Sequence, residues 1–91
     1  MAYAYHFNPD SMSAAQYMDC IARLDAAGAG NPQGRSYHIA YGTPDHLQVF
    51  DIWESAEDFE RFGQTLVPIL SALGVDPGTP DVEEIVNIIE G

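Results

Sequence analysis

The sequence predicts an α+β fold with the element order β-α-β-β-α-β, in which a four-stranded antiparallel sheet carries two helices on one face. Four short segments are rich in aromatic and β-branched residues, which favour strands. Two longer segments place apolar residues three and four positions apart, the period of an amphipathic helix. Clusters of Gly, Pro, Asn and Asp separate these segments. With 91 residues the chain is predicted to be one domain, residues 1–91.

The first strand and the first helix are predicted from a change of period. "AYAYHF", from Ala2, alternates as a strand does and ends at the turn formers "NPDS". Ser13 and Gln16 have the S-x-x-Q spacing of a helix capping box, and the helix is expected to end at about Gly28. Its apolar face is formed by Tyr17, Cys20, Ile21 and Leu24.

The next two strands are predicted to form a hairpin. "RSYHIAY" and "HLQVFDIW" are both strand-like, and the turn cluster "GTPD" lies between them. We take the loop as the four residues Gly42 to Asp45.

The second helix and the fourth strand complete the fold. Ser55 is predicted to cap the helix, and Pro68 is predicted to kink or restart it because proline lacks the amide donor. "VEEIVNIIE", from Val82, is the β-branched fourth strand. This order is that of the ferredoxin-like, or split βαβ, topology. The apolar face of the helix is formed by Phe59, Phe62, Leu66, Ile69 and Leu73.

The strands are apolar on both faces, as in "YHIAY", "VFDIW" and "IVNII". Two helices cover only one face of a four-stranded sheet, so the second face needs another cover. We expect it to pack against the same face of a second copy, which gives a homodimer. The alternative is a monomer with an exposed aromatic patch.

Asp51 lies in the middle of the third strand, where a charge is costly unless it has a partner. Side chains alternate across a strand, so Asp51 shares a face with Val49 and Trp53. With a four-residue loop, His38 lies opposite Val49 on that same face, together with Ser36 and Ala40. A three- or five-residue loop would move His38 to the other face, because a slip of one residue exchanges the faces.

Asp51 has four candidate partners, namely His38, Tyr17, the Trp53 indole and a backbone amide. In one interpretation the carboxylate bonds one of them and fixes the local structure. In the other, His38 is a proton acceptor that Asp51 orients inside an apolar cavity. Tyr17 is on the side of the first helix that faces the sheet and is placed to reach this cavity.

The charge of the chain excludes several classes of partner. Fourteen acidic residues stand against three arginines and no lysine, for a net charge of −11 at pH 7. Nucleic acids and anionic membranes need clustered Lys and Arg, so neither is expected as a partner. Cys20 is the single cysteine, and no signal peptide or membrane span is evident, so we expect a cytoplasmic protein.

No metal or cofactor is expected. His6, His38 and His46 lie on separate predicted elements and lack metal-ligand spacing. His46 is interpreted as an exposed turn residue and His6 as a hydrogen-bonded sheet histidine.

The element order, the strand ending "DIWES" and the helix opening "SAEDFERF" resemble the antibiotic biosynthesis monooxygenase-like proteins of the dimeric α+β barrel superfamily. The resemblance implies a dimer closed by the outer sheet faces, with an apolar pocket between the sheet and the helices of each subunit. It implies that Trp53 lines this pocket and that Asn8 stands at a pocket position. Haem-degrading relatives need an axial histidine from the second helix, and this sequence has none there.

The resemblance implies a cofactor-free monooxygenase that acts on an aromatic or polyketide-like substrate. His38 would be the base and Asp51 would orient it, while Trp53, Asn8 and Tyr17 would bind the substrate. One alternative is a non-catalytic dimeric binding or stress-response-type protein that uses the same pocket for a small apolar or aromatic ligand. Another is an isomerase or lyase on the same scaffold.

Overall fold

The computed structural model describes residues 2–91 and has the predicted order of elements. The strands lie in the spatial order β2-β3-β1-β4, and every neighbouring pair is antiparallel. This confirms the ferredoxin-like topology. The bounds of the elements are β1 (Tyr3–Phe7), α1 (Ala14–Ala26), β2 (Arg35–Thr43), β3 (His46–Trp53), α2 (Ala56–Ala72) and β4 (Asp81–Glu84).

Both helices cover the same face of the sheet, which we call the inner face. Tyr5 of β1 and Trp53 of β3 contact the ring of Phe59 from α2, and Tyr17 of α1 contacts His38 of β2. Trp53 is fully buried there. The opposite face, which we call the outer face, carries no helix.

The first helix has well-defined signals at both ends. The Ser13 hydroxyl accepts a hydrogen bond from the Gln16 amide, and the Gln16 side chain accepts one from the Ser13 amide, so the predicted capping box is present. At the other end Gly28 has φ of +74°, and the Ala29 amide donates to the Leu24 carbonyl. This is a Schellman motif, and glycine supplies the left-handed residue that it requires.

Replacing Ser13 by alanine is expected to lower the free energy of unfolding by about 1 kcal/mol, because the Gln16 amide would lose its acceptor. Urea unfolding followed by circular dichroism measures this difference. Ser71→Ala is the matched control, since Ser71 is an exposed residue in the last turn of α2. If both variants unfold at the same urea concentration, the capping box contributes nothing to stability.

The second helix runs without interruption through Pro68 to Ala72. The prediction that Pro68 restarts the helix is therefore wrong. The proline removes one amide donor, but the helix continues for four further residues and ends in a second Schellman motif. In it the Val75 amide donates to the Leu70 carbonyl, and the side chains of both residues are buried.

The hairpin loop is shorter than predicted. Thr43 pairs with His46, so the loop is the two residues Pro44 and Asp45 and not four. His38 consequently stands directly opposite Asp51 and not opposite Val49. The faces are unchanged, because loops of two and four residues differ by an even number and side chains alternate with a period of two.

The fourth strand is also shorter than predicted. It ends at Glu84, which pairs with Tyr3, the first residue of β1. One further hydrogen bond joins the Ile85 amide to the Ala2 carbonyl, and beyond it β1 offers no partner. The rest of "IVNIIEG" leaves the sheet, and Val86 is 99% exposed.

No helix among the described residues is long and apolar enough to cross a membrane.

Candidate functional site

The centre of the site is a histidine–carboxylate pair on the inner face. His38 of β2 and Asp51 of β3 are direct cross-strand partners, so their side chains leave the sheet side by side. His38 Nδ1 lies 2.5 Å from Asp51 Oδ1. A carboxylate can only accept hydrogen bonds, so Nδ1 carries the proton and Nε2 of the neutral ring is left as an acceptor.

The second oxygen of Asp51 is also occupied. The Trp53 indole Nε1 donates to Asp51 Oδ2 over 3.1 Å. Asp51 is 4% exposed, and each of its oxygens has a donor. The carboxylate in the middle of an apolar strand is thus compensated by two neighbours, one on its own strand and one on the next.

Tyr17 extends this chain of hydrogen bonds to the first helix. Its hydroxyl lies 2.7 Å from His38 Nε2 and donates to it, given the tautomer above. Burial raises the pKa of the Tyr17 hydroxyl above its ordinary value, while the Arg35 guanidinium acts in the opposite direction. Tyr17 is therefore neutral at pH 7 and available as a donor.

The hydrogen-bonded groups lie in the wall of a cavity between the sheet and the helices. The cavity has a volume of about 70 Å³. Tyr17, His38 and Asp51 form its polar wall, and the side chain of His38 is 22% exposed, so this wall is in contact with solvent. Apart from Arg35 and Cys20, the remaining lining is apolar and includes Phe7, Val49, Phe62, Leu66 and Leu70.

Cys20 lines the same cavity, one turn after Tyr17 on α1. Its thiol is free and buried, and burial raises its pKa above the ordinary value, with a smaller contribution from the Asp19 carboxylate. A thiol in these surroundings stays protonated at pH 7 and packs as a small apolar side chain.

Two of the predicted binding residues do not line the cavity. Trp53 is fully buried behind Asp51, where it packs against Phe59 and Phe62. Its effect on a ligand would be exerted through Asp51.

Asn8 lies outside the cavity as well. It is exposed, and its side-chain oxygen lies 3.1 Å from His46 Nε2. Asn8 follows Phe7, the last residue of β1, and its side chain is directed to the start of β3.

The other two histidines lie away from the cavity. His6 Nε2 is 2.8 Å from the side-chain oxygen of Gln48 on the outer face, and His46 is exposed at the start of β3. Neither contacts the His38–Asp51 pair.

Sequence reasoning missed Arg35 as a cavity residue. The pairing of β2 with β3 is irregular between Arg35 and Tyr37, so Arg35 and not Ser36 stands opposite Trp53. Such a bulge sends a side chain to the opposite face. Arg35 therefore lines the cavity, while Ser36 is exposed.

The fold and the cavity define a class of small α+β proteins with an apolar cavity between sheet and helices. No protein-family model matches the sequence, and no curated protein sequence matches it. The chain has the fold of antibiotic biosynthesis monooxygenase-like structures, as the sequence resemblance implied.

Three solved structures illustrate this likeness. A candidate antibiotic biosynthesis monooxygenase from Chloroflexus aurantiacus superposes with a TM-score of 0.67 at 11% identity, over 99% of this chain and 98% of that one. SnoaB, a cofactor-independent oxygenase from Streptomyces nogalater, superposes with a TM-score of 0.62 at 14% identity, over 99% of this chain and 96% of that one. A candidate antibiotic biosynthesis monooxygenase from Deinococcus radiodurans superposes with a TM-score of 0.62 at 14% identity, over 99% of this chain and 97% of that one. At these identities the likeness is one of fold.

Proposed function

We propose that the chain forms a homodimer and oxidises an aromatic or polyketide-like molecule in its inner cavity with dioxygen, without a cofactor. The observation that carries the proposal is the hydrogen-bonded chain from Tyr17 through His38 to Asp51 in the wall of an apolar cavity. The likeness in fold to a cofactor-independent oxygenase supports it.

The residues supply a base and a dry environment. Tyr17 already occupies His38 Nε2, so a substrate proton reaches His38 through the Tyr17 oxygen, which accepts it as the hydroxyl proton passes to Nε2. The imidazolium that forms is stabilised by the Asp51 carboxylate. A substrate that fills the cavity would displace the solvent that reaches His38, so that the apolar lining surrounds the carbanion or phenolate that remains.

The oxidation balances without a further reductant. A substrate CH₂ group becomes a carbonyl, which is a loss of four electrons, and dioxygen accepts four electrons as one atom enters the carbonyl and the other leaves as water. An aromatic substrate with an acidic CH₂, such as a hydroxyanthrone, has the electron-rich anion that this reaction needs.

The dimer is proposed because the outer face is apolar and open. Tyr37 is 50% exposed, and Ile39 and Tyr41 are each 39% exposed, all on the same face of β2. The end of the chain, residues 88–91, passes near Tyr37 and Phe50, but the gap between them has a volume of about 490 Å³. Ile88 is 49% exposed and Ile89 is 84% exposed, so the end of the chain buries little of its apolar surface against the sheet and a second copy has room to cover the outer face.

The test is oxygen uptake with 1,8-dihydroxyanthrone as the probe, measured above its rate in buffer. His38→Asn is expected to lower the rate about 100-fold or more, because it removes the base. Asparagine keeps an N–H that can donate to Asp51, so the fold is expected to survive, whereas His38→Ala would leave Asp51 Oδ1 without a donor. Size-exclusion chromatography and circular dichroism check the assembly and the fold.

His46→Asn is the matched control, since His46 is exposed and does not line the cavity. It is expected to keep the wild-type rate. If His38→Asn also keeps that rate, His38 is not the base. If the wild-type protein is no faster than buffer with this probe, the proposed oxidation of hydroxyanthrones is rejected.

A second candidate is a protein that binds such a ligand without reacting. The Tyr17 hydroxyl already satisfies His38 Nε2, and the cavity of about 70 Å³ is small. Both observations favour a rigid binding site. This candidate requires saturable binding of the probe by fluorescence titration, with the probe recovered unchanged.

A further inference from the structure

We infer that Arg35 makes the inner cavity an anion-recognition site, which selects a ligand with a negatively charged oxygen group, such as a carboxylate or an ionised phenol, on an aromatic or apolar body. The inference deepens the proposed function, since it rests on the inner cavity being the ligand site. It does not depend on any reaction taking place there.

The first observation is the state of the three arginines. Arg23 is 3.2 Å from Asp19, and Arg61 is 2.8 Å from Asp58, each within one helix turn on the surface. Arg35 has no carboxylate within ion-pair distance among residues 2–91, although the chain has fourteen acidic residues. The arginine of the cavity is thus the one left without a counter-charge.

The second observation is that most of the donors of Arg35 are unused. A guanidinium carries five N–H donors in a planar fork. Within the described residues the Arg35 guanidinium donates one hydrogen bond, from Nη2 to the Gly30 carbonyl over 3.3 Å. The carbon of the guanidinium lies 5.6 Å from the centre of the Phe62 ring, itself part of the cavity lining. These two contacts hold the group in place and leave donors for a ligand.

The third observation is that a local irregularity in the pairing of β2 with β3 places the Arg35 side chain in the cavity lining. If the pairing of β2 with β3 continued regularly beyond Tyr37 and Ile52, Ser36 would face Trp53 and Arg35 would be on the outer face. The bulge brings a positive charge into a lining that is otherwise apolar apart from the wall formed by Tyr17, His38 and Asp51. Bulges of this kind recur beside binding sites, where they re-aim a side chain.

The fourth observation is that Arg35 acts at the polar wall of the cavity. Arg35 lines the same cavity as Tyr17 and His38, and its charge opposes the rise in the pKa of Tyr17 that burial causes. A ligand oxygen held by Arg35 would therefore lie near Tyr17 and His38, with its ring against Phe62 and Leu66. Because the chain has a net charge of −11, which repels anions, a local cation is what favours an anionic ligand here.

The test compares benzoate with benzamide, two probes of nearly equal shape that differ in charge. Each is titrated into the ¹⁵N-labelled protein, and amide shifts of the cavity residues report binding. Benzoate is expected to bind about tenfold or more tightly than benzamide, because charge-assisted hydrogen bonds to a guanidinium are stronger than neutral ones. Arg35→Gln is expected to remove this preference, while Arg23→Gln, which loses the same charge on the surface, keeps it.

Several outcomes would overturn the inference. These are equal affinities of the two probes for the wild-type protein, an unchanged preference in Arg35→Gln, an equal loss in Arg23→Gln, or no binding of benzoate. If Arg35→Gln does not fold, Arg35→Lys replaces it and is expected to weaken benzoate binding, since lysine lacks the planar fork. The titration involves no oxidation, so a failure of hydroxyanthrone turnover leaves its result intact, and a failure here leaves the turnover assay intact.

Discussion

Replacing Trp53 by alanine is expected to lower the free energy of unfolding by about 3 to 5 kcal/mol, the usual cost of truncating a buried aromatic residue. Trp53 is fully buried and packs against Phe59 and Phe62 with ring centres 5.5 Å apart. The substitution also removes one of the two donors to the buried Asp51 carboxylate. A domain of 91 residues has few kcal/mol to lose, so this variant is expected to be partly unfolded at 37 °C.

The comparison with Trp53→Phe separates packing from hydrogen bonding. Phenylalanine retains most of the ring but has no N–H, so Asp51 Oδ2 loses its donor, at a cost of about 1 to 3 kcal/mol. Urea unfolding at one fixed protein concentration measures both variants, since assembly makes stability depend on concentration. Met18→Ala is the control, because Met18 is 60% exposed and its truncation is expected to change little. A Trp53→Ala variant no less stable than this control would contradict the described core.

The sequence predicted the arrangement around Asp51 on a physical argument. A carboxylate among Leu, Val, Phe and Ile needs partners, and His38 and the Trp53 indole were two of the four candidates. In the structure each takes one oxygen, while Tyr17 binds His38 instead. That sharing follows from the distance between α1 and the sheet, which no sequence pattern specifies.

The face of His38 was predictable although the loop length was not. The predicted and observed loops differ by two residues, and alternation makes the face depend only on whether that difference is odd or even. The position of Arg35 on the inner face could not be predicted, because the prediction of faces assumes regular alternation along the strand. A bulge breaks the alternation, and no glycine or proline lies between Arg35 and Tyr37 to signal it.

The length of β4 could not be predicted from strand propensity alone. "IVNII" has strong β-propensity, yet it lies outside the sheet because β1 begins at Tyr3 and cannot pair beyond Glu84. A strand needs a partner as much as it needs propensity. The apolar end of the chain and the open outer face therefore raise the same question, namely what covers them.

Phe50→Asp is expected to convert the proposed dimer into monomers or insoluble protein. Phe50 lies on the outer face of β3, where its ring packs edge-on against Tyr37 with centres 6.4 Å apart. A carboxylate placed there would be desolvated when two copies associate, which costs several kcal/mol unless a partner charge is present. Two-fold symmetry would also bring the two introduced charges into the same interface.

Sedimentation velocity at several protein concentrations decides the outcome, because it reports the mass of the particle in solution. Val67→Asp is the matched control, since it introduces the same charge at a residue of α2 that is 54% exposed, on the side of the molecule away from the outer face. The control is expected to remain dimeric like the wild-type protein, while Phe50→Asp sediments as a monomer. A wild-type chain that is monomeric at every concentration would contradict the dimer and would mean that the apolar outer face stays open to solvent. A soluble, unchanged Phe50→Asp dimer would place the interface elsewhere, and the apolar residues of β2 would then need another explanation.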